Sequence, residues 1–257
     1  PLWAVSSVWR SLKLVHNSSL ITLSIGRSEA LLYWSGRAKR AALSMLLAGA
    51  ALSGFAASVE AHPHVWATVR SEVVFGPQNE ITGIKHAWTF DEFYSAMAVQ
   101  GLDTNSDGTY ARDELEPLAK VNVDSLKDFD YFTFVRREGE DAFLPLKSPQ
   151  DYWVEYDGTA LTLHFTLPLE APLAPGSNGV TLDVYDPSFF VAFGFAEKDP
   201  VKIAGTAPGC AAKVAAPDPE EAEDAKALTE SFFSQLGPDS NYGSQFAQTA
   251  TVTCGAQ

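Results

Sequence analysis

The chain has few basic residues for its length, which excludes nucleic acid as a partner. It contains 18 Lys and Arg against 32 Asp and Glu, and residues 62–257 alone carry 12 against 30. Such a surface repels nucleic acid and anionic lipid and attracts cations. The Gly-x-Ser-x-Gly elbow, the phosphate-binding loop and the dinucleotide fingerprint are also absent. An enzyme is therefore less well supported by the sequence than a binding protein. The enzyme that stays open is a hydrolase, in which carboxylates from distant strands, such as Asp183 and Asp186, would have to converge.

Long apolar runs are missing too, except over residues 41–57. Basic residues precede this run and small residues follow it, which predicts a secretory signal over residues 37–61 with cleavage before His62. An uncleaved membrane anchor is the alternative, but a spanning helix needs about 20 apolar residues and this run is shorter. The first methionine is Met45, so we interpret residues 1–36 as a leader that results from a misplaced start.

The two cysteines of the chain, Cys210 and Cys254, both lie in the part that the signal is predicted to export. In an oxidising compartment an even number favours one disulfide, which would close the C-terminal segment, over two free thiols. We therefore expect a protein that is soluble in the periplasm after cleavage.

Residues 103–114 match the calcium loop of an EF-hand at each position that supplies a ligand. Oxygen-bearing side chains stand at positions 1, 3 and 5, glycine makes the turn at position 6, and positions 7 and 12 offer a carbonyl and a glutamate. These residues are Asp103, Asn105, Asp107, Gly108, Thr109 and Glu114. A hard cation needs this spacing, because the loop must wrap around it with six to eight oxygens. The sequence thus predicts calcium as a cofactor, with a solvated acidic turn as the alternative.

Helices are expected on both sides of this loop. Thr89 and Glu92 have the spacing of a capping box, which predicts an entering helix over about residues 90–101. The exiting helix should cover about residues 111–126, with a kink or break at Pro117. No second loop of this kind follows, so we interpret the unpaired hand as a structural element rather than a regulatory sensor.

The remaining sequence alternates short strand patterns with turn signals. Strands are predicted at residues 62–75, 81–88, 131–137, 152–156, 161–167, 180–186 and 189–195. The first two could form a hairpin, and the Asp157-Gly158 turn predicts a second hairpin between the fourth and fifth. In the fifth strand Leu161, Leu163, Phe165 and Leu167 share one face. This is typical of an antiparallel β-sandwich, so the fold class is strand-rich α+β, with the hand inserted at about residues 90–126 of a domain formed by residues 62–207. Residues 208–257 would then hold a linker over residues 208–219, a C-terminal helix over residues 220–236 and the disulfide-closed tail.

His62 and His64 would stand at the start of the mature chain. An α-amine with two imidazoles suits nickel, cobalt, zinc or copper, whereas calcium prefers oxygen. Pro63 blocks a chelate through a deprotonated amide, so a looser histidine site is predicted, with an exposed strand start as the alternative. His86 and His164 are isolated within predicted strands, and we interpret them as structural or surface residues.

Several short features occur together in a fixed order over residues 62–200. They are His62-Pro63-His64-Val65-Trp66 after the signal, Trp88 with Asp91-Glu92, the loop of residues 103–114, Tyr131-Phe132, and Tyr185-Asp186-Pro187 with Phe190-Val191. This combination resembles a bacterial periplasmic family catalogued as domain of unknown function 1007. Its members are often labelled periplasmic components of ABC-type transport systems and accompany nickel or cobalt permeases. The resemblance implies a periplasmic location and an inner-membrane metal permease as partner, without a mechanism.

These observations favour a periplasmic metal-binding accessory protein, associated with divalent-metal transport and carrying a structural calcium site. The alternative is a calcium-stabilised interaction domain without a transition-metal role. The hydrolase with an acidic cleft is the third hypothesis.

Overall fold

The alternating pattern near the predicted cleavage site forms strand β1, Val65–Phe75, in the computed structural model, which describes residues 63–175, 179–217 and 241–255. Every second side chain of β1 is buried, because successive residues of a strand point to opposite faces of a sheet. A turn leads to β2, Ile81–Phe90, which pairs antiparallel with β1. The predicted hairpin is confirmed.

β1 and β2 belong to a first sheet with the order β4-β5-β2-β1-β7. The strands β4, Gln150–Tyr156, and β5, Leu161–Leu173, form the second predicted hairpin. On the other edge, β7, Val191–Phe195, and β8, Val201–Gly205, lie end to end and run parallel to β1. The prediction of a wholly antiparallel fold is therefore wrong at this edge, because the chain crosses to a second sheet before it returns to β1.

The second sheet is antiparallel and has the order β3-β6-β10-β9. Its strands are Thr133–Arg137 (β3), Val180–Val184 (β6), Thr249–Cys254 (β10) and Cys210–Ala215 (β9). A strand therefore replaces part of the predicted linker, and the tail supplies an inner strand of this sheet. A disulfide joins Cys210 to Cys254, which face each other in the β9–β10 register, so the predicted pairing is confirmed. The predicted helix over residues 220–236 lies outside the described residues.

The apolar faces of the two sheets form one core. Trp88 of β2 packs edge-on against Phe165 of β5 with ring centroids 4.7 Å apart, and Leu182 and Val252 of the second sheet belong to the same buried cluster. The predicted inward face of β5 is confirmed, since its alternate residues Leu161, Leu163, Phe165 and Leu167 are all buried. The other polar side chains of the first sheet lie on its outer face, whereas Ser71 and His86 are buried.

Two helices follow β2, as predicted, but the first begins differently. Helix α1, Glu92–Ala98, is capped by Asp91, whose Oδ1 accepts the N–H of Tyr94 at 2.9 Å. Thr89 instead belongs to β2, where its hydroxyl meets that of Thr162 at 3.0 Å. The predicted capping box is therefore wrong, because strand pairing with β5 already holds Thr89.

Helix α2, Arg112–Leu126, matches the predicted exiting helix and continues through Pro117 without a break. Pro117 and Asp113, whose carbonyl loses its partner there, are both exposed, so water can satisfy the lost hydrogen bond. The opposite side of α2 is buried in the core through Leu115, Leu118, Ala119, Val123 and Leu126. No helix among the described residues is long and apolar enough to span a membrane.

Candidate functional site: the acidic loop and its surroundings

Residues 103–114, which we call the acidic loop, connect α1 to α2. Its turn depends on Gly108, whose φ of +81° places it in the left-handed region. A Cβ at this position would have nothing within 4 Å, so the backbone conformation, and not a lack of space, requires glycine. The glycine predicted at position 6 therefore has the conformation for which it was expected.

The side chains at positions 1, 3 and 5 all accept hydrogen bonds from the backbone of the loop. The carboxylate of Asp103 accepts the N–H of Asp107 at 3.2 Å and that of Gly108 at 3.0 Å, and Asn105 Oδ1 accepts the Asp107 N–H at 2.8 Å. Asp107 Oδ1 accepts both the hydroxyl of Thr109, at 2.6 Å, and its N–H, at 2.8 Å. The hydroxyl contributes most to lowering the pKa of Asp107. These bonds turn the three side chains towards the inside of the loop.

Glu114 joins the two ends of the loop. Its Oε1 accepts the hydroxyl of Thr104 at 2.7 Å and the N–H groups of Thr104 and Asn105 at 2.8 and 3.3 Å. Its Oε2 accepts the N–H of Ala111, at the start of α2, at 3.0 Å. These hydrogen bonds lower the pKa of Glu114, with that from the Thr104 hydroxyl as the largest cause. The carboxylate is thus ionised and fixed at position 12.

The donor chemistry of the acidic loop fits calcium, although its carboxylates are not gathered around one point. Among the described residues, no group of three or more His, Cys, Asp and Glu side chains is close enough to hold a metal ion. A carboxylate offers about four acceptor positions, so Asp103 can keep its two hydrogen bonds and still face a cation. Glu114 would have to release Thr104 and Asn105 before both of its oxygens could bind one.

The exit of the acidic loop is fixed to the edge of the first sheet. The ring of Tyr110 meets that of Tyr156 edge-on at 5.2 Å, and the guanidinium of Arg112 lies 4.9 Å from the centre of the Trp153 ring. Both contacts are with β4, beside which α2 packs. Tyr110 departs from the aliphatic residue usual at position 8, which is the sequence signal for this attachment. The partner residues on β4 could not be identified from the sequence.

The predicted histidine site is described only in part, because His62 lies outside the described residues. His64 is half-buried at the start of β1 and donates its backbone N–H to the carbonyl of Phe190 at 3.0 Å. Its imidazole lies against the ring of Phe190 with centroids 4.8 Å apart. The aromatic turn before β7 thus sets the position of this histidine.

The other two strand histidines lie on opposite faces of the first sheet. His86 is buried and contacts the hydroxyls of Ser71 and Thr133, at 2.9 Å through Nδ1 and 3.3 Å through Nε2. Burial lowers its pKa to about 3. On the outer face, His164 Nε2 pairs with Glu155 Oε1 at 2.9 Å. The two histidines therefore belong to separate surroundings, one in the core and one half-buried on the outer face.

Asp183 and Asp186 are both buried and both occupied by structural partners. Arg136 approaches Asp183 to 3.1 Å, while Asp186 accepts the N–H groups of Ser188, Phe190 and Val191 and the hydroxyl of Ser188 at 2.8–3.0 Å. Burial raises the pKa of each carboxyl. Asp186 therefore organises the turn that leads into β7.

The sequence matches the model of a family described as "Protein of unknown function (DUF1007)" over residues 47–254. The chain belongs to this family. The DUF1007 match includes both sheets, the acidic loop and Cys254, so the disulfide-closed tail is part of the family domain rather than an addition to it. A Haemophilus influenzae protein described as "Uncharacterized protein" is 26% identical over 196 residues, which cover 76% of this chain and 92% of that relative.

Proposed function

We propose that this DUF1007 protein is an exported, calcium-stabilised accessory protein for divalent-metal transport, and that the acidic loop is its calcium site. The acidic loop carries the proposal, because five oxygen donors in EF-hand order lie between two helices and around a left-handed Gly108. Calcium takes carboxylate, amide and carbonyl oxygens in such a loop. Asp103, Asn105, Asp107, the carbonyl of Thr109 and Glu114 would hold the ion.

The attachment of the acidic loop supports a structural role for calcium rather than a switch. Tyr110 and Arg112 are held against β4, and α2 buries one side in the core. A sensor hand needs helices that can open around a groove, whereas opening here would expose part of the core. Calcium would instead connect the short helix α1 to the well-packed α2.

Calcium is expected to raise the melting temperature of the purified protein by about 5–10 °C. This follows because ligand at 100 times its dissociation constant adds about 2.7 kcal/mol, and each kcal/mol corresponds to about 2–4 °C for a domain of this size. The measurement is a thermal unfolding curve in calcium, in magnesium and in chelator. Asp103→Asn and Glu114→Gln should each remove the calcium-dependent rise.

Asp157→Asn is the matched control, because Asp157 is also exposed and also accepts two backbone N–H groups, in the turn between β4 and β5. This variant should keep the full response to calcium. The calcium proposal fails if the wild type melts at the same temperature in calcium and in chelator. It also fails if the Asp157 variant loses the response together with the loop variants.

The transport role rests on His62 and His64 at the predicted mature N-terminus, together with the permease association that the resemblance implies. Imidazole suits nickel, cobalt, zinc and copper. In spectroscopic titrations with Ni²⁺, Cu²⁺ and Zn²⁺, a His62→Ala/His64→Ala variant is expected to bind at least about tenfold more weakly than the wild type. A His164→Ala variant, which changes a solvent-facing histidine of β5, should bind as the wild type does.

The alternative of an interaction domain is favoured by exposed apolar side chains on α1 and beside its start. Trp66, Phe93 and Met97 are 55%, 72% and 45% exposed, and large exposed apolar groups mark contact surfaces when they cluster. Deletion of the gene decides between the two functions. Altered tolerance to nickel, cobalt or zinc supports transport, whereas unchanged tolerance and metal content would leave the interaction domain as the better account.

A further inference from the structure

The outer face of the first sheet contains a cavity of about 430 Å³. Its shape follows from strand register, since Ala87 of β2 lies between Arg70 of β1 and His164 of β5. Cross-strand neighbours on one face are about 5 Å apart, so a methyl group between two long side chains leaves a depression. We call this depression the Ala87 groove. It is lined by Arg70, Lys85, Ala87, Trp153, His164 and Thr166, among others.

Positive charge is concentrated beside Ala87 although the chain is strongly acidic. Among the described residues, neither Arg70 nor Lys85 has a carboxylate oxygen within 4.0 Å. Glu72 lies opposite Lys85 in the β1–β2 register, so the three side chains together carry one net positive charge. Two more acidic residues line the cavity. Asp199 is paired with Lys202 at 3.6 Å, and Asp151 of β4 brings the whole lining to three positive and three negative charges, so the excess of positive charge is local to Arg70 and Lys85.

One wall of the Ala87 groove is aromatic and held in place. Trp153 stacks on His164 with ring centroids 4.4 Å apart and an angle of 6° between the planes. His164 is fixed by Glu155 at 2.9 Å, and Arg112 lies over the Trp153 ring. A wall that is already ordered loses little conformational freedom when a ligand binds. The groove therefore combines a fixed planar surface with two cations that have no partner in the described part of the chain.

We propose that the Ala87 groove binds a small organic monocarboxylate. Arg70 and Lys85 pair with the carboxylate, because a guanidinium fork matches its two oxygens, and the body of the ligand lies against the ring of His164, which stacks on Trp153 behind it. The cavity is within the range of small-molecule sites, about 300–1,000 Å³. The acidic residues of the lining favour a singly charged carboxylate over a phosphate monoester, whose second charge would meet Glu72 without compensation. This site adjoins the exit of the acidic loop through the contact of Arg112 with Trp153, but it uses none of the proposed calcium ligands, so the titration is done in chelator.

The test is an NMR titration of the purified, ¹⁵N-labelled protein with benzoate, phenyl phosphate and benzamidine, which share a ring and differ in charge. Benzoate is expected to shift the amide signals of β1, β2 and β5 around Ala87 and the indole signal of Trp153, with saturation in the millimolar range. Phenyl phosphate should bind several-fold more weakly, and benzamidine should not shift these signals. Tighter binding of phenyl phosphate than of benzoate would overturn the assignment to carboxylates.

Variants distinguish specific binding of benzoate in the Ala87 groove from non-specific attraction of benzoate to positively charged side chains. Arg70→Gln and Lys85→Gln should each weaken benzoate about tenfold, as expected for the loss of one charge-assisted hydrogen bond. Ala87→Leu should abolish binding by filling the depression, with a dispersed spectrum to show that the variant is folded. Lys213→Gln, which removes an exposed strand lysine of the second sheet, is the matched control and should change nothing. Equal weakening by Lys213→Gln, or no saturation with the wild type, would refute the proposal.

Discussion

Acidification from pH 6.5 to about pH 4 is expected to lower the free energy of unfolding by about 3 kcal/mol through His86 alone. Burial lowers the pKa of this imidazole from 6.5 in the unfolded chain to about 3. Between these two values the unfolded chain binds one proton more than the folded protein, so stability falls by about 1.4 kcal/mol for each unit of pH. The stabilisation is complete above pH 6.5 and is lost progressively as the pH falls towards 3.

The cost of protonating His86 comes from its surroundings in the core. Its ring lies 5.1 Å from that of Phe165 and 5.5 Å from that of Trp88, and its two nitrogens face the hydroxyls of Ser71 and Thr133. A neutral imidazole can accept at one nitrogen and donate at the other, which two hydroxyls can satisfy. An imidazolium would carry a full charge there without an anionic partner.

The measurement is urea unfolding of the wild type and of His86→Gln between pH 4 and pH 7.5. The glutamine side chain keeps polar contacts to both hydroxyls but cannot take up a proton. The unfolding free energy of this variant should therefore fall less steeply with acid than that of the wild type, and the two slopes should differ by about 1.4 kcal/mol per pH unit. Thr162→Ser is the control, because it changes a polar side chain that pairs with Thr89 in the same sheet and leaves His86 in place, so it should keep the slope of the wild type. Parallel pH profiles for the wild type and His86→Gln would contradict the assignment.

The hairpins were predictable because the signals for them are local. Alternation from Val65 to Phe75 and the Asp157–Gly158 turn specify β1–β2 and β4–β5 without information from elsewhere in the chain. The end of β5 was not predictable in this way. Pro168 should end a strand, yet β5 continues to Leu173, because Pro168 lies opposite Gly83 at an irregular point of the β2 register. A Cβ on Gly83 would come within 2.7 Å of the Leu167 carbonyl, so only glycine allows this approach.

The second sheet shows a different limit of local sequence information. β9 is rich in alanine, Cys210-Ala211-Ala212-Lys213-Val214-Ala215, and such a composition has little preference for strands. Its conformation depends on β10, to which it is paired across six residues and one disulfide. The acidic loop, in contrast, could be predicted from local sequence, because all its ligand positions lie within twelve residues. Its attachment to Trp153 and Tyr156 is a tertiary contact, and the one indication of it in the sequence is the unusual aromatic residue Tyr110.

Removal of the disulfide is expected to cost about 4 kcal/mol of unfolding free energy. Cys210 and Cys254 are 44 residues apart, and the loss of loop entropy in the unfolded chain for a ring of that size is of this order. Urea unfolding of a Cys210→Ser/Cys254→Ser variant, compared with the oxidised wild type, measures the difference. Wild type treated with a reductant should reproduce the stability of the double variant, and the double variant should not respond to reductant.

The effect of this disulfide should be uneven across the second sheet, which makes the prediction sharper than a change in overall stability. Among the described strands, β9 is an edge strand paired only with β10, whereas β10 is also paired with β6. Amides of β9 should therefore exchange with solvent faster after reduction, while those shared by β10 and β6 stay protected. Equal protection of β9 before and after reduction would show that strand pairing alone holds this edge. A stability that depends on the disulfide would in turn support the export proposal, because a reducing compartment would remove the bond.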